Sequence, residues 1–368
     1  MVKALFVDKW NNEYMPNRTD WKPEEGMFRM KPYPVEFPMK QIKERQAAMW
    51  RYQEALPFES TDTYTSITMG EGMTPLVPLD GDHPNLLMKM DYLMPTGSFK
   101  DRGAAVLIAK AKELGVSTVI ADSSGNAGTA IAAYSARAGM SCHIYVPAST
   151  SEKKLAQIEA HGARIHKVPG SREDTAEAAK QAVEKENLYY ASHVYNPFFY
   201  EGTKTFAFEV WEQLGEQVPD SLILPVGNGT LLLGAYIGFQ NLKEAGAINR
   251  MPRIIGVQSE NCAPIAHAFT NDEPVSPAEN RGTLAEGIAI AAPMRGPEII
   301  EAVKDTKGTI VTAPEENIKS AGEELAAKGF YVEPTTAATY AAYQQHKAEL
   351  VHPDETVVMV LCGSGLKK

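Results

Sequence analysis

The chain has 368 residues, 44% hydrophobic and 22% charged, a globular balance with enough length for two domains and a buried ligand. Its 36 basic and 46 acidic side chains leave a net charge of −10 without a long basic run. That balance excludes the electrostatic footprint of a nucleic-acid or anionic-membrane binder, and leaves small molecules and further copies of the chain as partners. The three dispersed cysteines Cys142, Cys262 and Cys362 exclude a disulfide framework or a spaced zinc site and fit a reducing cytoplasm.

The apolar opening is broken by Asp8 and Lys9 before it reaches the length of a signal-peptide core, and no stretch reads as a membrane span. Residues 1–60 mix aromatics, prolines and charges, and read as an irregular arm for packing or subunit contact, with a helix near 40–55. From about residue 100 the pattern becomes regular. A helix over 101–114 precedes the apolar strand 117–121, an Ala-rich helix over 127–139 closes at Gly139, and 142–146 reads as a strand. A helix over 151–161, a strand over 164–168 and a helix over 172–186 continue the alternation. A second region follows, with helix 202–214, strand 221–226, helix 230–245, strand 253–258, helices 315–328 and 335–350, and a terminal strand 356–361. Pro-rich and charged stretches at 271–280 and 291–298 read as surface loops. Alternation on this scale predicts two α/β units with mainly parallel sheets.

Four segments carry candidate chemistry. Pro95-Thr96-Gly97-Ser98-Phe99-Lys100-Asp101-Arg102-Gly103 places a lysine at a loop-to-helix junction, where the backbone dipole disfavours the cation and leaves an amine suited to meet a bound aldehyde. Taken singly, Lys100 also reads as a solvated helix-start lysine. Asp122-Ser123-Ser124-Gly125-Asn126 lies at a strand-to-helix loop. Its hydroxyls and the following free N–H groups make a cradle for a substrate carboxylate, or simply a capped helix start.

Pro225-Val226-Gly227-Asn228-Gly229-Thr230-Leu231 ends an apolar strand in a glycine-rich turn that can bind phosphate through its backbone. Asn228-Gly229 is also a hairpin pair, although a helical run follows. There is no Walker lysine, and Leu232 stands where a third dinucleotide-binding glycine belongs. The fourth segment, Leu361-Cys362-Gly363-Ser364, ends the last strand in small neutral side chains that can face a heterocycle nitrogen without protonating it.

In this order the four segments resemble the fold type II pyridoxal-phosphate (PLP) enzymes, the tryptophan synthase beta-like fold, and among them threonine synthase. Gly70-Glu71-Gly72-Met73-Thr74-Pro75-Leu76 is similar to that family's upstream signature, with Met73 in place of the usual asparagine. Glu201-Gly202-Thr203-Lys204-Thr205 and Glu333-Pro334-Thr335-Thr336-Ala337-Ala338 resemble further family segments, and the likeness covers residues 65–368.

The resemblance implies pyridoxal 5'-phosphate as cofactor, with Lys100 as Schiff-base lysine and α-proton base. It implies Asn126 as partner of the phenolic oxygen, Gly227, Asn228, Gly229, Thr230 and Leu231 as the phosphate loop, and Cys362 beside the ring nitrogen. It implies Ser123, Ser124 and Gly125 at the substrate carboxylate. It also implies an N-terminal arm (1–60), a large PLP-binding domain (61–94 and 206–368), a small mobile domain (95–205) and a homodimer.

Two departures bear on the substrate. In the segment His193-Val194-Tyr195-Asn196-Pro197-Phe198-Phe199 this chain has Phe199 where threonine synthases carry arginine, and His193 where they commonly carry asparagine. Those family residues hold the phosphate of O-phosphohomoserine, and loss of one charge-assisted contact costs about 2–4 kcal/mol. Leu284-Ala285-Glu286-Gly287-Ile288-Ala289 looks like the corresponding segment of threonine and serine dehydratases. It puts Glu286 near the ring and the substrate's amino or leaving group, or leaves it a solvated loop glutamate. The expectation is a PLP-dependent lyase acting on a small L-amino acid by α-proton abstraction and β-elimination or β-replacement. Its rivals are an authentic threonine synthase and a PLP-binding protein or subunit without catalysis of its own.

Overall fold

The structure, a computed structural model, describes residues 4–17 and 19–367, and divides into Met1–Glu71 with Lys100–Thr203, and Gly72–Phe99 with Lys204–Lys368. The first unit is built on a parallel four-stranded sheet in the order Arg164–Val168, Ser141–Pro147, Thr118–Ala121, Tyr189–Tyr190. Burial alternates along Ser141–Pro147, so Cys142, Ile144 and Val146 share one buried face and His143 and Tyr145 the other.

Around the sheet lie the helices Lys100–Glu113, Asn126–Ala138, Glu152–Ala160 and Arg172–Glu186, close to the expected bounds because their stops are local. Gly139 ends one helix at φ 72°, where only a residue without Cβ is unstrained. Ser171 and Asp174 form a reciprocal capping box on another, a device worth about 1 kcal/mol. Ile120, Ala179, Val183 and Tyr190 make a core cluster, with Trp21 and Tyr195 packed against it.

The arm is more ordered than its composition suggests. Phe6–Val7, Glu13–Tyr14 and Arg29–Met30 form a small antiparallel sheet. The helix expected near 40–55 is split into Met39–Glu44 and a 3-10 segment Met49–Ala55, with Arg45 extended between them. Arg45 folds its guanidinium onto the Arg51 carbonyl (2.6 Å) and the Glu54 carboxylate, contacts that a continuous helix would not allow.

The second unit has a six-stranded sheet in the order Thr309–Ala313, Arg253–Ser259, Ser221–Pro225, Val357–Val360, Leu86–Lys89, Leu76–Pro78, parallel except for its last pair. Ser221–Pro225 and Val357–Val360 are buried throughout, as parallel strands covered on both faces require.

Two expectations are corrected here. The stretch 291–298 is only partly loop, since a helix Gly296–Asp305 starts inside it, with Pro297 in its first turn and Ile299, Ala302 and Val303 buried. The helix expected over 202–214 is two helices, Pro197–Thr203 and Thr205–Gln213. The first begins early because the Asn196 side chain accepts the Phe198 N–H (3.0 Å) and Pro197 opens the turn. Among the described residues no helix is long and apolar enough to cross a membrane.

Candidate active site

In the first unit Lys100 opens its helix, and its Nζ lies 5.7 Å from the centre of the Phe199 ring. The approach depends on Gly103, one turn along the same helix, where an added Cβ would overlap that ring. Phe199 is fully buried. His193 meets it edge-on with ring centres 6.0 Å apart. Burial, and then the positive charges of Lys100 and Arg172, hold the His193 imidazole well below its usual pKa, so it is neutral at pH 7. The segment bearing His193 is pinned at both sides: Ala191 N–H donates to the Ile120 carbonyl (2.8 Å), and Tyr200 donates to the Val194 carbonyl (3.0 Å).

The Ser123–Asn126 loop follows the Thr118–Ala121 strand and feeds the Asn126–Ala138 helix, which starts at Gly125 without a side-chain cap. The Gly125 N–H reaches the Ser123 hydroxyl (3.4 Å). Gly128 has no room for a Cβ because it lies against the Ser123 carbonyl. First-turn N–H groups without a side-chain cap, together with two hydroxyls, suit a carboxylate.

In the second unit the Gly227–Leu231 turn joins the Ser221–Pro225 strand to the Thr230–Glu244 helix. Gly229 has φ 75°, and the helix start carries no side-chain cap. A Cβ on Gly227 would press on Ile290 (3.0 Å) and the Gly287 carbonyl (3.1 Å), so the turn is backed by the segment that carries Glu286. Glu286 itself is exposed, on a 3-10 turn Glu286–Ile288.

Cys362 is buried with its Sγ 3.1 Å from the Thr336 hydroxyl and 3.4 Å from Glu333 Oε1. The Phe99 N–H, one residue before Lys100, donates to the Cys362 carbonyl (3.0 Å), and Ser364 N–H to the Gly97 carbonyl (2.9 Å). Met73 takes φ 46°, a left-handed conformation that asparagine adopts more readily than methionine. The next residue, Thr74, is held there by Asp91 (2.7 Å) and by the buried Lys89 amine on its carbonyl (2.6 Å).

The donor groups of the second unit fit a phosphorylated pyridine: a glycine turn whose helix start lacks a side-chain cap, a thiol and a hydroxyl held together, and the fully buried Ser98 hydroxyl without a hydrogen-bond partner. In the first unit, taken by itself, the amine at the start of the Lys100–Glu113 helix suits an aldehyde. Among the described residues no group of three or more His, Cys, Asp or Glu side chains is placed to hold a metal ion. Sequence reasoning assigned no role to Thr336 and Glu333 at Cys362, although their segment carries part of the family likeness, and it left out Arg172, whose charge acts on His193.

A family model described as "Pyridoxal-phosphate dependent enzyme" matches residues 67–363. The threonine synthase of Methanocaldococcus jannaschii is 36% identical over 335 residues, covering 89% of this chain and 82% of that one. That of Bacillus sp. is 37% identical over 309 residues, 82% and 85% of the two chains. Among solved structures, the T.th. threonine deaminase superposes with a TM-score of 0.68 at 26% identity, over 82% of this chain and 96% of that chain. The L-serine ammonia-lyase of Rhizomucor miehei reaches 0.69 at 22% identity, over 79% and 93%, a likeness of fold.

Proposed function

This chain belongs to the pyridoxal-phosphate-dependent enzyme family, and from that premise we propose that it removes the α-proton of a small L-amino acid and expels an uncharged β-substituent. The observation that carries this reading is the buried Phe199 ring on Gly103, beside Lys100 and the neutral His193. An apolar ring and an uncharged imidazole give a phosphate dianion no charge-assisted contact.

Lys100 is the amine that holds the cofactor and carries the α-proton, while Asn126 donates toward the phenolic oxygen. Gly227, Asn228, Gly229, Thr230 and Leu231 hold the phosphate, and Cys362, kept in place by Thr336, faces the ring nitrogen as a neutral group. Ser123, Ser124 and the N–H groups after Gly125 fix the substrate carboxylate, which aligns the α-C–H bond toward the Lys100 amine. Glu286 is assigned to the substrate's amino or leaving group. When bound, the cofactor supplies the electron sink for the pair left as the α-C–H bond breaks.

A second reading, threonine synthesis from O-phosphohomoserine, is favoured by the sequence likeness to threonine synthases. Holoenzyme incubated separately with L-serine, L-threonine and O-phospho-L-homoserine decides between them. The lyase reading expects ammonia and a 2-oxo acid from a hydroxy amino acid, lost in Lys100→Ala. Inorganic phosphate and threonine from O-phospho-L-homoserine, with no ammonia from the others, would replace it.

A further inference from the structure

A carboxylate lies behind the Cys362 thiol at the carboxyl edge of the second unit's sheet. The strand Val357–Val360 runs on to Cys362, whose neighbour Gly363 bridges antiparallel to Ser98. The Glu333 N–H donates to the Gly363 carbonyl (3.0 Å), and a Cβ on Gly363 would overlap the Glu333 carboxylate. Any side chain at Gly363 would therefore push that carboxylate off its place along the strand end. Glu333 immediately precedes the Pro334–Leu350 helix, yet its side chain makes no cap to that helix. Its Oε1 instead accepts from the Cys362 thiol (3.4 Å). The phosphate turn belongs to the same edge. Gly227 backs onto the Gly287 carbonyl, and Gly287 onto the hydroxyl of Thr335, the neighbour of Thr336.

These contacts assign the protons around the sulfur. The Thr336 hydroxyl accepts the Cys362 N–H (3.0 Å), and the same hydroxyl lies 3.1 Å from Sγ. Both side chains are buried. A thiol has one proton to give, whereas a carboxylate only accepts. A hydrogen bond to an ionised acceptor is about twice as strong as one between neutral groups, so Glu333 outcompetes a neutral ring nitrogen for the thiol proton. The Thr336 hydroxyl then turns its own proton toward the sulfur. What the sulfur has left to offer a ligand is an electron pair.

We propose that Glu333 is a positioning residue for the cofactor: it takes the hydrogen bond of the Cys362 thiol, so that the sulfur meets the ring nitrogen with an electron pair and that nitrogen keeps a proton drawn from solvent. A small neutral side chain acting alone would leave the nitrogen without a proton. The carboxylate behind it reverses that outcome, and a protonated ring is the stronger electron sink. Glu333 thus acts through Cys362 and touches none of the reacting atoms. The proposal rests on the assignment of Cys362 to the ring nitrogen and is independent of which amino acid is turned over.

The test uses holoenzyme loaded with PLP that is isotopically labelled at its ring nitrogen and read by nitrogen NMR at neutral pH, where a protonated pyridine resonates far upfield of a neutral one. The parent is expected at the protonated position and Glu333→Gln at the neutral one, since an amide carries no charge. Cys362→Ser is expected to stay protonated, because a hydroxyl makes the same bond to Glu333. Cys362→Ala keeps the carboxylate but removes the sulfur, and is expected to be neutral; it decides the matter if Glu333→Gln does not fold. Infrared absorption of the thiol supplies a second readout that needs no turnover. A lowered S–H stretching band is expected in the parent, absent in Cys362→Ser and moved up in Glu333→Gln. A neutral nitrogen in the parent, a protonated one in both parent and Glu333→Gln, or a thiol band indifferent to Glu333→Gln would overturn the proposal. A nitrogen unmoved by Cys362→Ala would remove the assignment of Cys362 and the proposal with it. One that responds to Cys362→Ala but not to Glu333→Gln would overturn the role of Glu333 alone.

Discussion

Gly103 has no room to change because the Phe199 ring occupies the place of a Cβ. Gly103→Ala is expected to cost about 1–3 kcal/mol of stability, the range for overpacking a close-packed core, read as a lower urea midpoint at unchanged slope. Phe199→Leu in the same chain should recover part of the loss, since the two positions touch and their effects couple. Strict additivity in that double-mutant cycle would mean the ring is not what excludes the methyl group. A guanidinium in place of this ring would be fully buried beside the Lys100 amine.

Between elements, the adjacent strands Ser141–Pro147 and Arg164–Val168 carry a stack of rings. His166 lies 4.5 Å from Tyr145, nearly parallel, and 5.1 Å from His143, and His166 Nε2 is buried without a hydrogen-bond partner. Burial first, and then the positive charges of His166 and Arg164, lower the pKa of His143; burial and Arg164 lower that of His166. Both imidazoles therefore titrate in the folded chain below their unfolded value of about 6.5. As pH falls through that value the unfolded chain takes up protons first, so stability is complete above it and declines until the folded pKa values are passed. The urea midpoint is expected to fall between about pH 7 and pH 5, and less steeply in His143→Gln/His166→Gln. His193 shifts in the same direction, so part of the slope should survive. An unchanged slope in the double variant would assign all of it elsewhere.

At the scale of the molecule, the N-terminal residues belong with Lys100–Thr203 in one compact unit. Phe6 packs on Phe198 (ring centres 5.0 Å), and Tyr33 donates to the Glu201 carboxylate (2.5 Å) while lying 3.0 Å from the Ala55 carbonyl. Both Phe198 and Glu201 lie on the Pro197–Thr203 helix, which also holds Phe199. Burial, and then the Glu201 charge, push the Tyr33 hydroxyl well above its usual pKa, so it remains a donor. Tyr33→Phe takes a hydrogen bond from a carboxylate that is 2% exposed and should cost about 1.5–3 kcal/mol, measured by urea unfolding. A change within about 0.5 kcal/mol would show that the arm does not brace this helix.

The sequence by itself determined the alternating α/β plan, the lysine at a helix start, the glycine turn before Thr230 and the helix stops at Gly139 and before Gly162. Each is written in neighbouring residues through periodicity, caps or positive-φ glycines. Only the tertiary structure decided that Phe199 lies on Gly103, that Thr336 holds Cys362, and that Asp122 and Tyr190 come to face each other. Strand register and helix contact make those pairs from positions separated by 96, 26 and 68 residues in the chain, and a two-residue strand such as Tyr189–Tyr190 acquires its place from its neighbours rather than from any pattern of its own.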